Sequence, residues 1–184
     1  LDFKNVGLVG VINTDHFLNF PDFRAHEKAF QVLTQVAGRS GRSGERGSVY
    51  LQTYQPDHPI IINVINNDFD QMYAKQLIER KDYKYPPFVR LIRITMKDKS
   101  FDKLNSSSDW LNKAIRANFK GLVLGPVYPE ISRIKNKYHK EFLIKLRDLN
   151  DLNIFRNKFQ LIMKSFDSIS KYRSVKVIVD VDPN

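Results

Sequence analysis

A pair of adjacent prolines near the middle of the chain constrains the fold more than any other feature of this sequence. Residues 59–82 carry apolar side chains at helical spacing, and Tyr85-Pro86-Pro87-Phe88 follows them directly. Proline cannot continue a helix, and it biases the residue before it towards extended backbone. The sequence therefore predicts a domain boundary here, with one domain in residues 1–85 and a second in residues 86–184.

The second half of the chain predicts the element order β-α-β-β-α-β. Residues 88–96 alternate as a strand, and Ser100 can cap the helix that follows. A second amphipathic helix covers residues 152–166, and valines at every second position of residues 175–181 predict a last strand. We therefore expect an α+β domain of the split βαβ (ferredoxin-like) kind, with two helices on one face of an antiparallel sheet.

Basic and aromatic residues crowd the two middle strands of this predicted domain. These strands can pair as a hairpin around a turn at residues 136–138, and strand alternation would send Arg133, Lys135 and Lys137 to one face as a stripe. Cations of this kind pair with backbone phosphates, and Tyr138 could stack on an unpaired base. The residues that we predict to bind DNA are Arg133, Lys135, Lys137, Tyr138 and Lys140. A solvated charged turn is the alternative interpretation.

The distribution of charge also favours a polyanionic partner for the second half. The 184 residues carry 30 Lys and Arg against 20 Asp and Glu, which gives a net charge of +10. Residues 1–85 carry equal numbers of basic and acidic side chains, so the whole excess lies in residues 86–184. A basic domain beside a neutral one indicates nucleic acid first, although a basic surface that serves only solubility remains the alternative.

Composition argues against several other classes of protein. No apolar run reaches the ~18 residues that a membrane span needs, so no membrane partner is expected. The absence of cysteine excludes disulfides and thiolate metal sites from these residues, and it fits a cytoplasmic protein. The four histidines are dispersed along the chain, and we predict no metal site.

The first half of the chain predicts the element order strand, helix, arginine-containing loop and strand. A continuous apolar run over residues 6–12 predicts a strand buried on both faces of a parallel sheet. Asp15 follows it at the edge where open α/β sheets place their ligands, but a helix or turn cap explains this residue equally well. Residues 24–37 predict a helix, and residues 49–53 predict another strand.

The loop between that helix and the second strand combines two arginines with two glycines. The segment Gln35-Val36-Ala37-Gly38-Arg39-Ser40-Gly41-Arg42 places its guanidinium groups three residues apart. A guanidinium offers a planar fork of donors that suits phosphate oxygens, and glycine lets the backbone approach closely. Two such groups on one turn can cover a polyphosphate where charge develops during phosphoryl transfer. A surface turn with solvated arginines is the alternative.

This loop resembles the last conserved motif of superfamily 2 helicases, Gln-x-x-Gly-Arg-x-x-Arg. Its surroundings are similar to the PriA family of bacterial replication-restart helicases. The further segments that carry this resemblance are residues 21–27, 30–33, 44–53, 58–59, 85–88, 124–126 and 179–183. The resemblance implies that residues 1–85 are the end of a RecA-like second helicase lobe, an α/β domain, and that the chain is the C-terminal piece of a longer protein.

The resemblance also implies roles for the arginine loop. Arg39 and Arg42 would reach the γ-phosphate of ATP held on the first helicase lobe, with Arg42 as the arginine finger and Gln35 in polar contact. The predicted catalytic residues are Gln35, Arg39 and Arg42, and the predicted ATP-binding residues are Gly38, Arg39 and Arg42. ATP and magnesium are expected only in the full-length protein, and the zinc site of the family lies outside these residues.

The function implied by the resemblance is that of an ATP-dependent 3′-to-5′ DNA helicase, which binds stalled or forked DNA and restarts replication by primosome assembly. The expected partners are forked and single-stranded DNA, other primosome proteins and the single-stranded-DNA-binding protein. These residues alone are expected to bind DNA without hydrolysing ATP. The alternatives are a non-catalytic nucleic-acid-binding module, since split βαβ domains commonly serve that way, and a primosome adaptor without affinity for polyanions.

Overall fold

The chain folds into two compact units, Leu1–Tyr83 and Lys84–Asn184, which divide just before the proline pair. The computed structural model describes residues 6–40, 47–119, 121–147 and 149–183. Both helices and strands are present in each unit within these ranges, as the predicted mixed α/β composition requires. Within the same ranges, no helix is both long enough and apolar enough to cross a bilayer.

The first unit contains a short parallel sheet and four helices in its described residues. Its elements are β1 (Leu8–Val11), α1 (Asp15–Leu18), α2 (Ala25–Ala37), β2 (Ser48–Leu51), α3 (Pro59–Asn66) and α4 (Phe69–Asp82). The strands β1 and β2 pair in parallel, with Leu8 opposite Ser48 and Val11 opposite Leu51. Parallel neighbours need a long crossover connection, and α1 and α2 lie in the segment that provides it.

The core of the first unit lies among its helices rather than around the sheet. The buried apolar residues of this core are Leu18, Ala29, Phe30, Leu33, Ile60, Ile61 and Met72. The strand predicted over residues 6–12 is present, but its predicted burial on both faces is wrong. Leu8 is 62% exposed and Ile12 is 80% exposed, because the described helices of this unit pack on one side of the two strands only.

Two helix caps divide the helical stretch of residues 59–82 into α3 and α4. The Nδ1 atom of His58 accepts a hydrogen bond from the Ile60 N–H at 3.2 Å, and Asp68 accepts one from the Gln71 N–H at 2.9 Å. Asn67, which lies between the helices, has the left-handed φ of 52° that this residue type tolerates. Each cap satisfies an N–H group that the first turn of a helix leaves without an intrahelical partner.

The second unit is an antiparallel sheet with two long helices, and the predicted α+β class is confirmed. Its elements are β3 (Arg90–Asp98), α5 (Phe101–Asn118), β4 (Leu122–Val127), β5 (Arg133–Ile134), β6 (Lys137–Leu146), α6 (Leu149–Ser168), a 3₁₀ turn (Ser170–Tyr172) and β7 (Lys176–Val181). The strand order is β4-β6-β3-β7, and β5 pairs with β6 alone. All of these strand pairs are antiparallel.

The helices α5 and α6 pack on one face of this sheet and form the core of the second unit. Alternate residues of β3, namely Ile92, Ile94 and Met96, are completely buried against them. The helices contribute Leu104, Leu111, Ile115, Phe155, Phe159, Ile162 and Phe166. Burial of each such side chain contributes about 1.5–3 kcal/mol, so this alternating pattern fixes which face of each strand turns inward.

A helix cap at Ser100 and a bulge at Gly125 shape the second unit locally. The predicted Ser100 cap is present, since its Oγ accepts a hydrogen bond from the Lys103 N–H at 3.3 Å. Gly125 interrupts the register of β4 with a φ of +91°, and a Cβ atom placed there would lie 2.5 Å from the carbonyl oxygen of Glu141. Only glycine fits this position, because both the backbone conformation and the close approach of β6 exclude a side chain.

Candidate nucleic-acid interface

The arginine loop begins where α2 ends. The Gly38 N–H donates to the carbonyl oxygen of Thr34 at 3.0 Å, and the Arg39 N–H donates to that of Val36 at 3.1 Å. Gln35 lies in the last turn of α2 and Gly38 and Arg39 follow its end, so these three predicted site residues are neighbours along the chain, and all three are exposed. Arg42 lies outside the described residues, and the contact of this loop with a phosphate stays a prediction.

Asp15 acts as a cap between the ends of the two parallel strands. Its carboxylate accepts hydrogen bonds from Thr53 Oγ1 at 2.8 Å and from the Tyr54 N–H at 3.0 Å. The bond from Thr53, followed by the one from Tyr54, lowers the pKa of this carboxyl. Of the two interpretations of Asp15, the cap is the one that this geometry supports.

The basic hairpin of the second unit is formed by β5, β6 and a two-residue turn. The turn residues Lys135 and Asn136 have positive φ angles of 49° and 60°, as in the type I′ turns that join tightly paired strands. Arg133 therefore lies opposite Tyr138, and Ile134 opposite Lys137. The predicted turn at residues 136–138 is wrong by this register, since Lys137 and Tyr138 already belong to β6.

The predicted stripe of Arg133, Lys135 and Lys137 is also wrong. Lys135 occupies the turn, which interrupts the alternation of side chains between the two faces. Arg133 lies on the side of Tyr138, with its guanidinium carbon 5.0 Å from the centroid of that ring. Lys137 precedes Tyr138 in β6 and therefore points to the opposite face of the sheet.

Lys140 does not join the exposed cations of the hairpin. It is only 8% exposed, its Nζ donates to Ser108 Oγ at 3.2 Å, and it lies 5.0 Å from the ring centroid of Tyr128. Lys140 is buried because alternate residues of a strand face the same side, so Lys140 shares the helix-covered face of β6 with Phe142. The geometry gives Lys140 a packing role between β6 and α5.

Two aromatic rings that the sequence did not assign to the interface lie beside the hairpin. Phe101 and Tyr128 stack with their ring centroids 5.8 Å apart and an interplanar angle of 2°, and Tyr138 meets Phe101 edge-on at 5.4 Å. Phe101 is 47% exposed and Tyr128 is 39% exposed. Half-exposed rings next to cations are the kind of surface on which unpaired bases stack. Phe101 is the first residue of α5, one turn before the buried Leu104, and this position leaves its ring half-exposed.

The face of the sheet opposite the helices carries a second group of basic residues, which we call the cross-strand row. Strand register places Lys97 of β3 between His139 of β6 and Lys176 of β7. Lys137, two residues before His139 in β6, lies on the same face. Burial, and then the charge of Lys97, lowers the pKa of His139. Glu141, two residues from His139 on the same face of β6, offsets part of this positive charge. Adjacent like charges are unfavourable, so the remaining excess suits the row to a phosphate. Sequence could not reveal it, since only the register joins three distant segments.

The comparisons with known proteins decide the family. Residues 81–184, more than half of the chain, match the family model of the primosomal protein N C-terminal domain. The chain belongs to the PriA family. The resemblance that the motifs predicted is therefore confirmed.

Relatives in this family match essentially the whole chain. It is 34% identical to the replication restart protein PriA of Bacillus subtilis, over 100% of this chain and 23% of that protein. It is 37% identical to the replication restart protein PriA of Rickettsia conorii, over 98% of this chain and 27% of the relative. The Synechocystis protein of the same name is 33% identical, over 100% of this chain and 21% of the relative. The chain thus spans about a quarter of the length of its PriA relatives.

His26 and His58 lie close together in the first unit and have polar partners there. Among the residues that the structure describes, no group of three or more His, Cys, Asp or Glu side chains could hold a metal ion. The rings of His26 and His58 approach each other, with centroids 5.3 Å apart, but Gln76 and Glu79 face Nδ1 of His26, and the Ile60 N–H donates to Nδ1 of His58. These contacts give both imidazoles a structural role.

Proposed function

We propose that this chain is the DNA-holding portion of a PriA-family helicase and that its second unit grips single-stranded or forked DNA during replication restart. The observation that carries the proposal is the exposed end of the second unit. There, the stacked pair Phe101 and Tyr128 lies beside Arg133, and the cross-strand row lies on the opposite face. Stacking surfaces next to cations favour unpaired strands, and phosphate contacts require no particular base sequence.

The fold that we propose for each unit is finer than its secondary-structure class. The order β4-β6-β3-β7, with α5 and α6 as the crossovers on one face, supports a split βαβ (ferredoxin-like) domain for the second unit. The parallel pair β1 and β2, joined through α2, supports the end of a RecA-like lobe for the first unit. Family membership adds weight to both proposals.

A role in ATP hydrolysis belongs to the longer protein. Gln35, Gly38, Arg39 and Arg42 would approach the γ-phosphate of ATP and magnesium held on another lobe, and Arg42 would be the arginine finger. The exposed position of Gln35 and Arg39 at the end of α2 supports this arrangement. Other primosome proteins and the single-stranded-DNA-binding protein are the partners proposed for the assembled complex.

The test of DNA holding is fluorescence anisotropy of this chain on labelled forked, single-stranded and duplex DNA. The variant Phe101→Ala removes one ring of the stacked pair, and Phe69→Ala removes an equally half-exposed phenylalanine of the first unit as its control. We expect single-stranded and forked DNA to bind more tightly than duplex, and Phe101→Ala to cost ~1–3 kcal/mol, which is the range measured for base stacking.

Equal binding to all three DNA forms, with no difference between the two variants, would contradict the proposal. No binding to any of the three forms would favour a primosome adaptor whose basic half has no role on DNA. Circular dichroism of each variant is the control for folding, because both phenylalanines also contact neighbouring rings.

A further inference from the structure

A cavity of about 710 Å³ lies in the second unit at the end of β6 opposite the hairpin. The last residues of β6, the end of α5 and the beginning of α6 surround it, with Phe119 and Ile154 among its apolar lining residues. Pockets for small ligands have volumes of roughly 300–1,000 Å³, so this one has room for a nucleotide-sized group. It is separated from the hairpin by the length of β6, ten residues or about 30 Å.

Cations predominate among the charged side chains that line this cavity. The described lining residues include Lys84, Lys145, Arg147 and Lys158 against a single carboxylate, Asp151, which already accepts a hydrogen bond from Arg147 Nε at 3.1 Å. Lys145 is only 8% exposed, and its ammonium lies 3.7 Å from the ring centroid of Tyr85. Burial, and then the charge of Lys84, lowers the pKa of Lys145. A cavity with this excess of positive charge attracts an anion.

The apolar part of the lining is as informative as the charge. Phe119 is partly exposed and is held by Phe155, with ring centroids 4.7 Å apart, so its position is fixed by the core. Lys158 lies 5.8 Å from the Phe119 centroid, and its Nζ donates to the carbonyl oxygen of Asn118 at 3.1 Å. An anchored ring beneath a basic rim can receive a flat apolar group that carries a negative charge.

We propose that this cavity binds one nucleotide of a single-stranded nucleic acid. The base packs against Phe119 and the apolar lining, and the phosphate lies among Lys84, Arg147 and Lys158 at the rim. This inference rests on the proposed DNA-holding role of the second unit. A nucleotide is favoured over an acidic peptide because the cavity lies on the same sheet as the hairpin and the cross-strand row, so one strand can extend from either of them to it.

The experiment is NMR titration of the ¹⁵N-labelled 184-residue chain with deoxyadenosine monophosphate, inorganic phosphate and a hexa-aspartate peptide, each to ~10 mM. We expect the mononucleotide to shift the amide signals of Phe119, Gly121 and Leu122 and to bind more tightly than phosphate. The double variant Lys84→Gln/Lys158→Gln should weaken this binding at least about fivefold. The matched control is Lys113→Gln/Lys164→Gln, with exposed lysines of α5 and α6 that lie outside the cavity.

Three results would overturn the inference: no shift of those amides, equal binding of phosphate and mononucleotide, or tighter binding of the peptide at the same amides. If the double variant loses the dispersed spectrum of the folded chain, Arg147→Gln replaces it, since that side chain is largely in solvent. A parallel anisotropy titration with a single-stranded oligonucleotide separates the two proposals. Oligonucleotide binding without mononucleotide binding removes the cavity site alone, whereas absence of oligonucleotide binding removes the DNA-holding role and, with it, the inference.

Discussion

The cross-strand row makes a prediction whose magnitude follows from the structure. Changing Lys97, Lys137 and Lys176 to Gln together removes three cations from one face of the sheet, while Gln retains the length and polarity of each side chain. Each phosphate that a protein neutralises on a single strand adds about 0.7 to the slope of log K against log salt. If each lysine contacts one phosphate, the triple variant therefore has a slope that is shallower by about 2.

The same relation gives the loss of affinity. Since the electrostatic contribution scales with the slope multiplied by log salt, a slope shallower by about 2 corresponds to ~100-fold weaker binding at 0.1 M salt. The assay is anisotropy with a single-stranded oligonucleotide over a range of salt concentrations. The matched control changes Lys113, Lys164 and Lys171 to Gln, since these three exposed lysines lie on the helix side of the second unit and carry the same total charge.

The comparison between the two triple variants can refute the reasoning. If the control variant lowers the slope as much as the row variant, the net charge of the unit governs binding and the register of the strands is irrelevant to it. If neither changes the slope, the row does not contact phosphate at all.

Three further predictions concern individual residues. Gly125→Ala should lower the free energy of unfolding by at least ~2 kcal/mol, because the new Cβ would clash with the Glu141 carbonyl oxygen and alanine disfavours the positive φ of this position. Urea titration measures the loss, and an unchanged midpoint would contradict the described bulge. His58 caps α3 through an unprotonated Nδ1, and burial, followed by the charge of His26, lowers its pKa in the folded chain. The contribution of His58 to the free energy of unfolding is thus complete above the unfolded pKa of about 6.5, and it is lost as the pH falls through the lower folded value. Asparagine does not titrate, so His58→Asn should lose less stability than the parent chain between pH 7.5 and pH 5. Unfolding titrations at these two pH values measure the difference. Lys140→Met should leave DNA affinity within about twofold, because its ammonium faces Ser108 inside the unit, and a larger loss of anisotropy signal would restore Lys140 to the interface.

The parts of the fold that depend on local chemistry were accessible from the sequence. The alternation of β3, the Ser100 cap and the apolar spacing of α5 and α6 each act within a few residues, and all of them are present in the structure. The tight hairpin was also predicted, but its turn was placed too late. Asn136 favours the left-handed conformation that ends β5, and this preference decides the register more strongly than the alternation of charge.

The candidate site was less accessible because it depends on register and on where the core ends. Lys140 has the composition of an interface residue, yet it shares a face with buried Phe142 and packs inside. Phe101 has the spacing of a core residue, yet it precedes the core by one turn and stays half-exposed. Lys97 and Lys176 carry no signal of their own, since each becomes significant only when β3 and β7 pair.

The central position of β3 has a consequence for how the second unit is made. It is the first strand of this unit in chain order, yet both of its neighbours, β6 and β7, come later. During synthesis its two hydrogen-bonding edges must wait for distant partners, so the sheet assembles through long-range closures that are intrinsically slow. Until β7 has been made, one edge of β3 is open to pairing with another chain, so the newly made second unit is exposed to aggregation.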